Sequence, residues 1–530
     1  MFAELFFLLT FWGWESKRHF LPLYMLKRIE TALISIYHKD GFSEIATALK
    51  NLGITVYTTG GTLDYLAPLG VNTVAVEDIT GFPSILGGRV KTLHPAVFGG
   101  ILARRNEAND LEQLKEYSIP TIDLVVVDLY PFEETVASGA SHSSIIEKID
   151  IGGISLIRAG AKNHADTVII GSKNEYSDLL HILTEQEGKT SLEERQTLAA
   201  KAFHVSSHYD AAIFNWFQAN TQVPGFKKSV ETGESLRYGE NPHQKATFYG
   251  DLNSIVTFLN GKQLSYNNLL DLDAALQLIQ DFSGCVCGII KHNNACGLAV
   301  RPTVLEAWHD ALAGDPVSAF GGIIAFNSEI DLATAQEIDK IFYEILVAPS
   351  YAPEALDYLK KKEKRIILQQ NKKLELASQF KSLLDGVIQQ DYDTKVVTEA
   401  DLTFKTTEKP TAEEIQDMLF ANILVKHTKS NAIILVKNQQ LIGSGTGQTS
   451  RIDALKQAIH KAKSFGFDTQ DAVLASDAFF PFADSVEEAH KAGIQCIIQP
   501  GGSVKDEESI NYCNQHHMKM VFTGHRHFRH

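Results

Sequence analysis

The chain has 530 residues, of which 44% are apolar and 21% charged, a globular balance that excludes disordered, collagenous and coiled-coil proteins. Lys and Arg total 49 against 64 Asp and Glu, and the resulting net charge of −15 argues against nonspecific binding to nucleic acid or anionic membranes. The five cysteines are too few and unevenly placed to suggest a disulfide framework, which favours a cytoplasmic protein.

The N-terminal residues differ in character from the rest of the chain. Residues 1–14 are strongly apolar, but this run is shorter than the ~20 residues that a membrane span needs. It also lacks the leading positive charge and the small-residue cleavage site of a signal peptide. We interpret residues 1–24 as a nonessential extension, with a short amphipathic anchor or a signal segment as the alternative.

In the first half, short apolar runs alternate with segments of helical periodicity. This alternation predicts α/β layers on a mostly parallel sheet, with ligands bound at the carboxyl ends of the strands. The apolar run that starts at Leu124 is unbroken, which is typical of a central parallel strand. The pattern predicts strands at 33–36, 54–58, 71–76, 124–129 and 167–170, and helices at 42–52, 62–69 and 191–217.

A polar stretch at 219–235 follows the long helix, so we place a boundary near 222–228, between domains 25–224 and 225–530. The second half repeats the alternation, and a weak midpoint near 390–410 would divide it into two α/β lobes. No short internal repeat is visible. The pattern predicts strands at 286–290, 322–326, 433–436, 472–475 and 494–499, and helices at 271–280, 302–313, 411–420 and 450–464.

Several motifs of the first half are rich in hydrogen-bond donors. The segment TTGGT at 58–62 turns a strand into a helix, and its paired glycines would let main-chain N–H groups approach an anion. The segment RVKTLHP at 89–95 sets four donor side chains behind Gly87 and Gly88. LYPF at 129–132 ends the central strand, and DIGG at 150–153 precedes AKNH at 161–164. Alone, TTGGT is also compatible with a plain tight turn and the tyrosine of LYPF with packing. RVKTLHP is denser in donors than a surface loop needs, with a solvated basic loop as its alternative.

The second half also contains motifs that suggest chemistry. In KHNNACG at 291–297, a Lys that can stabilise negative charge stands beside a His that can accept a proton. The glycines of GSGTG at 443–447 have the wrong spacing for a dinucleotide fingerprint. The aromatic segment SDAFFPF at 476–482 suits stacking on a flat ring and suits packing equally well.

Together, the first-half motifs resemble the cyclohydrolase domain of the bifunctional purine-biosynthesis enzymes that combine AICAR transformylase with IMP cyclohydrolase. KHNNACG, DPVSAFGG, TKSNAI, GTGQTSR, SDAFFPF and TGHRHFRH resemble the transformylase domain of the same family. The likeness covers roughly residues 29–530. It implies a methylglyoxal-synthase-like first domain and a second domain of duplicated cytidine-deaminase-like lobes without catalytic zinc.

The resemblance implies formyl transfer from 10-formyltetrahydrofolate to AICAR, then dehydrative closure of formyl-AICAR to IMP. It implies a homodimer with no catalytic metal and no nucleic-acid or membrane partner. The catalytic residues that it implies are Lys291, His292 and Asn431 for formyl transfer and Lys91, Tyr130, Asp150 and Lys162 for ring closure. The substrate-binding residues that it implies are Ser35, Lys39, Thr59, Gly61, Thr62, Arg89, Thr92, Gly152, Gly153, Arg237, Tyr238, Arg451 and Phe479.

The chain departs from the family pattern at two places in the cyclohydrolase half. Asp128 replaces the usual Asn before LYPF, and Tyr37-His38 replaces the usual Ser-Asp before Lys39. Two other functions are compatible with the fold family. A zinc-dependent nucleobase deaminase is opposed by the missing H-x-E and P-C-x-x-C signature. A ligand-sensing regulatory module would not need the two catalytic sets.

Overall fold

The computed structural model describes residues 26–86 and 89–530. The predicted extension at 1–24 and the glycine pair Gly87–Gly88 lie outside the described residues. The chain divides into two compact units, one ending at Glu231 and one beginning at Thr232, inside the polar stretch and shortly after the predicted boundary. In the described ranges, no helix has both the length and the apolar character to cross a membrane.

The first unit contains a parallel sheet enclosed by helices. The strands of the whole first unit are β1 (Lys27–Arg28), β2 (Thr31–Ile36), β3 (Thr55–Thr58), β4 (Thr73–Ala75), β5 (Leu124–Asp128), β6 (Val168–Ile170) and β7 (Lys189–Thr190). Its helices are α1 (Ser43–Asn51), α2 (Gly60–Leu66), α3 (Val76–Thr80), α4 (Pro95–Leu102), α5 (Ala108–Glu116), α6 (Phe132–Ala137), α7 (His142–Ile146), α8 (Gly152–Lys162), α9 (Tyr176–Thr184) and α10 (Leu192–Gln218).

The strand order of the first sheet is β4-β3-β2-β5-β6, and every neighbouring pair is parallel. This agrees with the predicted mostly parallel sheet. The order reverses between β2 and β5, because the chain winds outward from β2 in one direction and from β5 in the other. In sheets of this kind, ligands bind in the crevice beyond the carboxyl ends of the strands at the reversal. Ile36 and Asp128 end these two strands.

The second unit is built on a much larger sheet. Its strands are β8 (Gly233–Ser235), β9 (Thr247–Tyr249), β10 (Val256–Asn260), β11 (Cys285–Lys291), β12 (Asn294–Arg301), β13 (Ile323–Phe326), β14 (Ile345–Ala348), β15 (Ile366–Gln370), β16 (Ser378–Leu383), β17 (Gly386–Asp391), β18 (Thr403–Phe404), β19 (Ile433–Lys437), β20 (Gln440–Gly445), β21 (Val473–Ser476), β22 (Cys496–Gln499) and β23 (Lys519–Phe522). Its helices are α11 (Tyr266–Ile279), α12 (Val304–Gly314), α13 (Leu332–Ile338), α14 (Pro353–Leu359), α15 (Ala412–Lys426), α16 (Arg451–Ser464), α17 (Asp484–Lys491) and α18 (Asp506–Gln515).

The order of the large sheet is β10-β15-β14-β13-β11-β12-β20-β19-β21-β22-β23-β18. The sheet is mixed, with antiparallel as well as parallel neighbours, unlike the sheet of the first unit. Two tight hairpins are the physical reason: β11 joins β12 through His292 and Asn293, and β19 joins β20 through Asn438 and Gln439. Antiparallel neighbours can be joined by two residues, whereas parallel neighbours need a crossover.

From one end the order is β10-β15-β14-β13-β11-β12, and from the other end it is β18-β23-β22-β21-β19-β20. The six strands of each half follow the same order along the chain, so the second unit is a duplication centred on the β12–β20 pair. The equivalent helices α11 and α15 begin at equivalent capping residues, since Ser265 Oγ accepts from the Asn268 N–H at 3.2 Å and Thr411 Oγ1 accepts from the Glu414 N–H at 3.3 Å. Because β12 and β20 are antiparallel, the two hairpin turns lie at opposite ends of the strands, and we call these two sides the opposite edges of the sheet.

One equivalent pair of positions differs between the two edges. Arg301 ends β12, and its guanidinium donates to the main-chain carbonyls of Asn438 at 2.8 Å and Gln439 at 3.4 Å. The equivalent residue beyond β20 is Gly447, which has no side chain to place over the other turn. One hairpin turn is therefore covered by an arginine, and the His292 turn is not covered in this way.

Two glycines at equivalent places allow helices to pack closely on the central strands. A Cβ at Gly297 would lie 2.0 Å from the Ala311 carbonyl oxygen, and one at Gly443 would lie 2.4 Å from the Ala458 carbonyl oxygen. In each case the colliding atom is helix backbone, which cannot rotate away.

We therefore expect Gly297→Ala and Gly443→Ala each to destabilise the chain by about 1–3 kcal/mol or more, because the helix must move off the sheet. Urea denaturation of the purified variants would measure this. Gly386→Ala is the matched control, since a Cβ there would meet only the Leu383 carbonyl oxygen, at 3.7 Å. Equal midpoints for all three variants would contradict the close packing.

Candidate active sites

The crevice at the strand reversal of the first unit is lined by polar groups. Asp128, which is 9% exposed, accepts hydrogen bonds from both the main-chain N–H of His38, at 2.7 Å, and its ring Nδ1, at 2.8 Å. The two departures from the family pattern therefore contact each other. The carboxylate of Asp128 is used to hold the segment that follows β2 in place.

A second wall of this crevice is the start of α2. Lys39 directs its Nζ to the Ile36 carbonyl oxygen and, at 3.1 Å, to Thr62 Oγ1. Burial lowers the pKa of Lys39, while the nearby Asp128 acts to raise it. Thr59 is buried at the N-cap of α2, and a Cβ at Gly61 would meet nothing within 4 Å. This wall combines donors with open space, as an anion site requires.

Asp150 stands before the N-terminus of α8, where it accepts from the Gly153 N–H at 2.6 Å. Burial raises the pKa of Asp150, although main-chain N–H groups of Gly153 and Tyr130 and the charge of Lys91 act to lower it. A Cβ at either glycine of DIGG would displace a neighbouring side chain. A Cβ at Gly153 would lie 2.6 Å from Asp150 Oδ2, and one at Gly152 would lie 2.9 Å from Thr92 Oγ1.

Tyr130 follows β5 and is 37% exposed at this edge. Its ring packs edge-on against the Tyr37 ring at 5.5 Å, and Lys148 Nζ lies 5.6 Å from the Tyr130 ring centre. Lys148 also donates to Tyr37 Oη at 3.2 Å. Burial raises the pKa of Tyr130 and so does the charge of Asp150, whereas the Lys148 charge lowers it.

One predicted residue of the first unit, Lys162, lies apart from this group. Lys162 ends α8, an 11-residue helix that begins at Gly152, so about 15 Å of helix separates it from the Asp150 end. Lys162 lines a mostly apolar cavity of ≈ 490 Å³ with Arg158, His164 and neighbouring residues. Arg89 is exposed and pairs with Glu147. Ser35 is half-buried within β2.

In the second unit, the Lys291–His292 pair lies at the turn between β11 and β12. His292 and Asn293 have φ values of 52° and 63°, a left-handed conformation that costs non-glycine residues about 1–3 kcal/mol each. Asp271 on α11 holds this turn by accepting the main-chain N–H of Asn293 at 2.6 Å and that of His292 at 3.4 Å. Lys291 Nζ donates to the Phe320 carbonyl at 2.7 Å, and His292 is exposed.

Asn431 lies on the segment before β19, at the same edge of the sheet. Its Oδ1 accepts from Arg451 at 2.9 Å, and its Nδ2 donates to the Gln448 carbonyl at 2.9 Å. A primary amide has two N–H donors, so one N–H of Asn431 remains for a ligand. The Lys429 main-chain N–H donates to Asn294 Oδ1 at 2.9 Å, which ties this segment to the His292 turn.

Arg451 is predicted to contact substrate, but its guanidinium is buried and bound within the protein. It pairs with the fully buried Asp477 and donates to Ser476 Oγ at 3.0 Å. In this position Arg451 orients Asn431. Phe479 follows Asp477 by two residues and is 36% exposed, so its ring is free to stack.

Arg237 and Tyr238 lie on an exposed loop of the second unit. The Arg237 guanidinium carbon is 5.4 Å from the centre of the Tyr238 ring. Farther along this loop, the Glu240 carbonyl accepts from the Asn267 side chain at 3.1 Å, at the first turn of the helix that carries Asp271. The loop therefore borders the His292 turn through α11.

Comparison with known proteins identifies the family. A family model described as "MGS-like domain" matches residues 41–155, and one described as "AICARFT/IMPCHase bienzyme" matches residues 160–461. The second match covers more than half of the chain. The chain belongs to the AICARFT/IMPCHase bienzyme family.

Curated members of the AICARFT/IMPCHase family align along nearly the whole chain. The Bifunctional purine biosynthesis protein PurH of Bacteroides thetaiotaomicron is 58% identical over 504 residues, which is 95% of this chain and 99% of its own. The proteins of the same name from Persephonella marina and Aquifex aeolicus are 45% and 46% identical, over 94% of this chain and 99% and 100% of their own. A solved structure titled "Crystal structure of ForH" matches 36% of this chain and 99% of its own, at 36% identity and a TM-score of 0.31.

Membership of the AICARFT/IMPCHase family decides against the zinc deaminase and the sensing module. It also confirms the methylglyoxal-synthase-like first domain and the α/β transformylase region that the motifs implied. The motifs did not reveal Lys148 or Asp271 as neighbours of the predicted site residues. Lys148 lies two residues before Asp150, and that proximity was the available signal.

The buried state of Asp150 leads to a prediction about stability. Its pKa in the folded chain lies above the unfolded value, so its contribution to stability is lost as the pH rises from ~3.9 through the folded pKa. Asp150→Asn keeps an acceptor for the Gly153 N–H without the charge. We expect this variant to melt at a higher temperature than the unmodified chain at about pH 7, with the gap closing toward about pH 4. A lower melting temperature near neutral pH would contradict this.

Proposed function

We propose that the second unit transfers a formyl group to AICAR and that the first unit closes the product to IMP. As a member of the AICARFT/IMPCHase family, the chain is a bifunctional enzyme, an AICAR formyltransferase and an IMP cyclohydrolase, which catalyses the last two steps of IMP synthesis. One observation supports the division between units: each unit has its own polar site at one edge of its own sheet.

For formyl transfer we propose 10-formyltetrahydrofolate as the donor. The 5-amino group of AICAR is a weak nucleophile, because its lone pair is conjugated with the ring, and it must lose a proton as it attacks the formyl carbon. His292 is exposed at the turn and accepts that proton. The free N–H of Asn431 donates to the oxyanion of the tetrahedral intermediate. Lys291 stabilises the charge and gives a proton to the departing tetrahydrofolate nitrogen.

For ring closure, the carboxamide nitrogen attacks the new formyl carbon. One proton leaves that nitrogen and a second leaves the former amino nitrogen, and the former formyl oxygen takes up two protons and departs as water. Burial raises the pKa of Asp150, which makes its carboxylate a stronger base than an exposed aspartate and suits a group that accepts a proton and returns one. We propose that Tyr130 and Lys91 polarise the formyl oxygen. Lys39 and the Thr59–Thr62 turn hold the phosphate of the nucleotide, and Thr92, Gly152 and Gly153 border its base.

We propose that the chain acts as a cytoplasmic homodimer and uses no catalytic metal. The five cysteines are all free thiols, which suits a reducing compartment. Within the described ranges, no three His, Cys, Asp or Glu residues are grouped as a metal site would group them. The hairpin of β16 and β17 is exposed along both strands and presents Ile388 and Leu384, and a lone hairpin is marginally stable in water. A second copy of the chain would cover it.

The two-site assignment predicts that the activities can be lost separately. We expect Lys291→Ala and His292→Ala each to lower kcat for formyl transfer by about 10²–10⁴-fold, because each removes a group that acts in the transition state. Absorbance assays with supplied formyl-AICAR would show that both variants still form IMP at the unmodified rate.

The reciprocal variant is Asp150→Asn, which should lose IMP formation from formyl-AICAR and keep formyl transfer. The unmodified chain, assayed on formyl-AICAR alone, first tests whether the His38–Asp128 contact is compatible with cyclisation. Loss of both activities in any one folded variant would show that the two reactions share a site.

A further inference from the structure

Asp271 makes several contacts to the turn between β11 and β12. It lies on α11, half-buried, and its Oδ1 accepts the Asn293 main-chain N–H at 2.6 Å. The Asn293 side-chain amide, turned with its nitrogen inward, donates to the same oxygen at 2.9 Å. Asp271 Oδ2 accepts the His292 N–H at 3.4 Å. Both N–H groups of the left-handed turn thus end on one carboxylate.

The duplication supplies the same arrangement without the catalytic side chain. At the opposite edge, Asp417 on α15 accepts the N–H groups of Asn438 at 2.8 Å and Gln439 at 2.6 Å. These two residues have φ values of 53° and 51°. The preceding lysine, Lys437, donates its Nζ to a main-chain carbonyl at 2.7 Å, just as Lys291 does. Asn438, which takes the place of His292, cannot act as a base.

We propose that Asp271 is a positioning residue for formyl transfer. Its carboxylate fixes the left-handed turn and thereby sets where the His292 ring and the Lys291 ammonium stand relative to the reacting amine. The inference rests on the proposed roles of Lys291 and His292. The carboxylate oxygens of Asp271 already accept the N–H groups of the turn. In this proposal Asp271 therefore acts through the turn and does not contact the substrate.

Asp271 has two functions that must be separated, because the same carboxylate also stabilises the hairpin. Asp417 provides the matched control, since it stabilises the equivalent hairpin with the same two main-chain contacts. A purely structural role for Asp271 predicts equal consequences for the two substitutions. A positioning role predicts that only Asp271 affects the rate of formyl transfer.

The experiment compares Asp271→Ala with Asp417→Ala in the full chain. We expect Asp271→Ala to lower kcat for formyl transfer by about 10–100-fold, since small misplacements of a reacting group have effects of this size. KM for AICAR should change far less than kcat, because the lost contacts are not made to AICAR. Asp417→Ala should leave kcat near that of the unmodified chain. IMP formation from supplied formyl-AICAR should be unchanged in both variants.

A conservative variant completes the test. Asp271→Asn keeps one oxygen to accept the Asn293 N–H and should recover part of the lost kcat, with Asp417→Asn as its control. If Asp271→Ala fails to fold, the two asparagine variants are compared by the same criterion. Equal kcat values for the Asp271 and Asp417 variants would overturn the proposal. His292→Ala is assayed alongside, and full formyl transfer by that variant would instead refute the proposed site.

Discussion

Carboxylates that accept main-chain N–H groups hold the loops on which the reacting side chains stand. Asp128 accepts from the His38 N–H, Asp150 from the Gly153 N–H, and Asp271 from both residues of the hairpin turn. Hydrogen bonds to a charged acceptor contribute about 1.5–3 kcal/mol each, which is comparable to the cost of a left-handed residue. Each of the two sites therefore contains a segment that this type of contact holds in place.

Sequence patterns located much of the first unit. The alternation of apolar runs and helical segments predicted its strands within a few residues. The motif LYPF placed Tyr130 just after the central strand, where the strand order reverses. They could not foresee that α8 carries Lys162 about 15 Å along its axis from Asp150, because a separation of twelve residues says nothing about direction until a helix is assigned. The role of Lys162 stays a prediction.

The second unit was harder to predict for two physical reasons. The hairpin turns contain His292–Asn293 and Asn438–Gln439 in place of the glycine-containing pairs that usually mark such turns, so nothing local announced antiparallel strands. The duplication preserves contacts more than residue types. Asp271 and Asp417 are equivalent and identical, whereas the equivalent of His292 is Asn438 and the equivalent of Arg301 is Gly447. For this reason the chain shows no short repeat, although its sheet is symmetric.

The antiparallel β12–β20 pair also determines where the two matching turns of the duplicated sheet lie. When two lobes are joined through antiparallel strands, their matching turns lie at opposite ends of the strands. The two turns therefore cannot bind the same ligand. Arg301 covers one turn by binding the carbonyls of Asn438 and Gln439. Gly447, at the equivalent position, has no side chain to cover the other turn. Among the described residues, the two matching turns are thus unequal: the carbonyls of one are bound by an arginine, whereas the other presents an exposed His292.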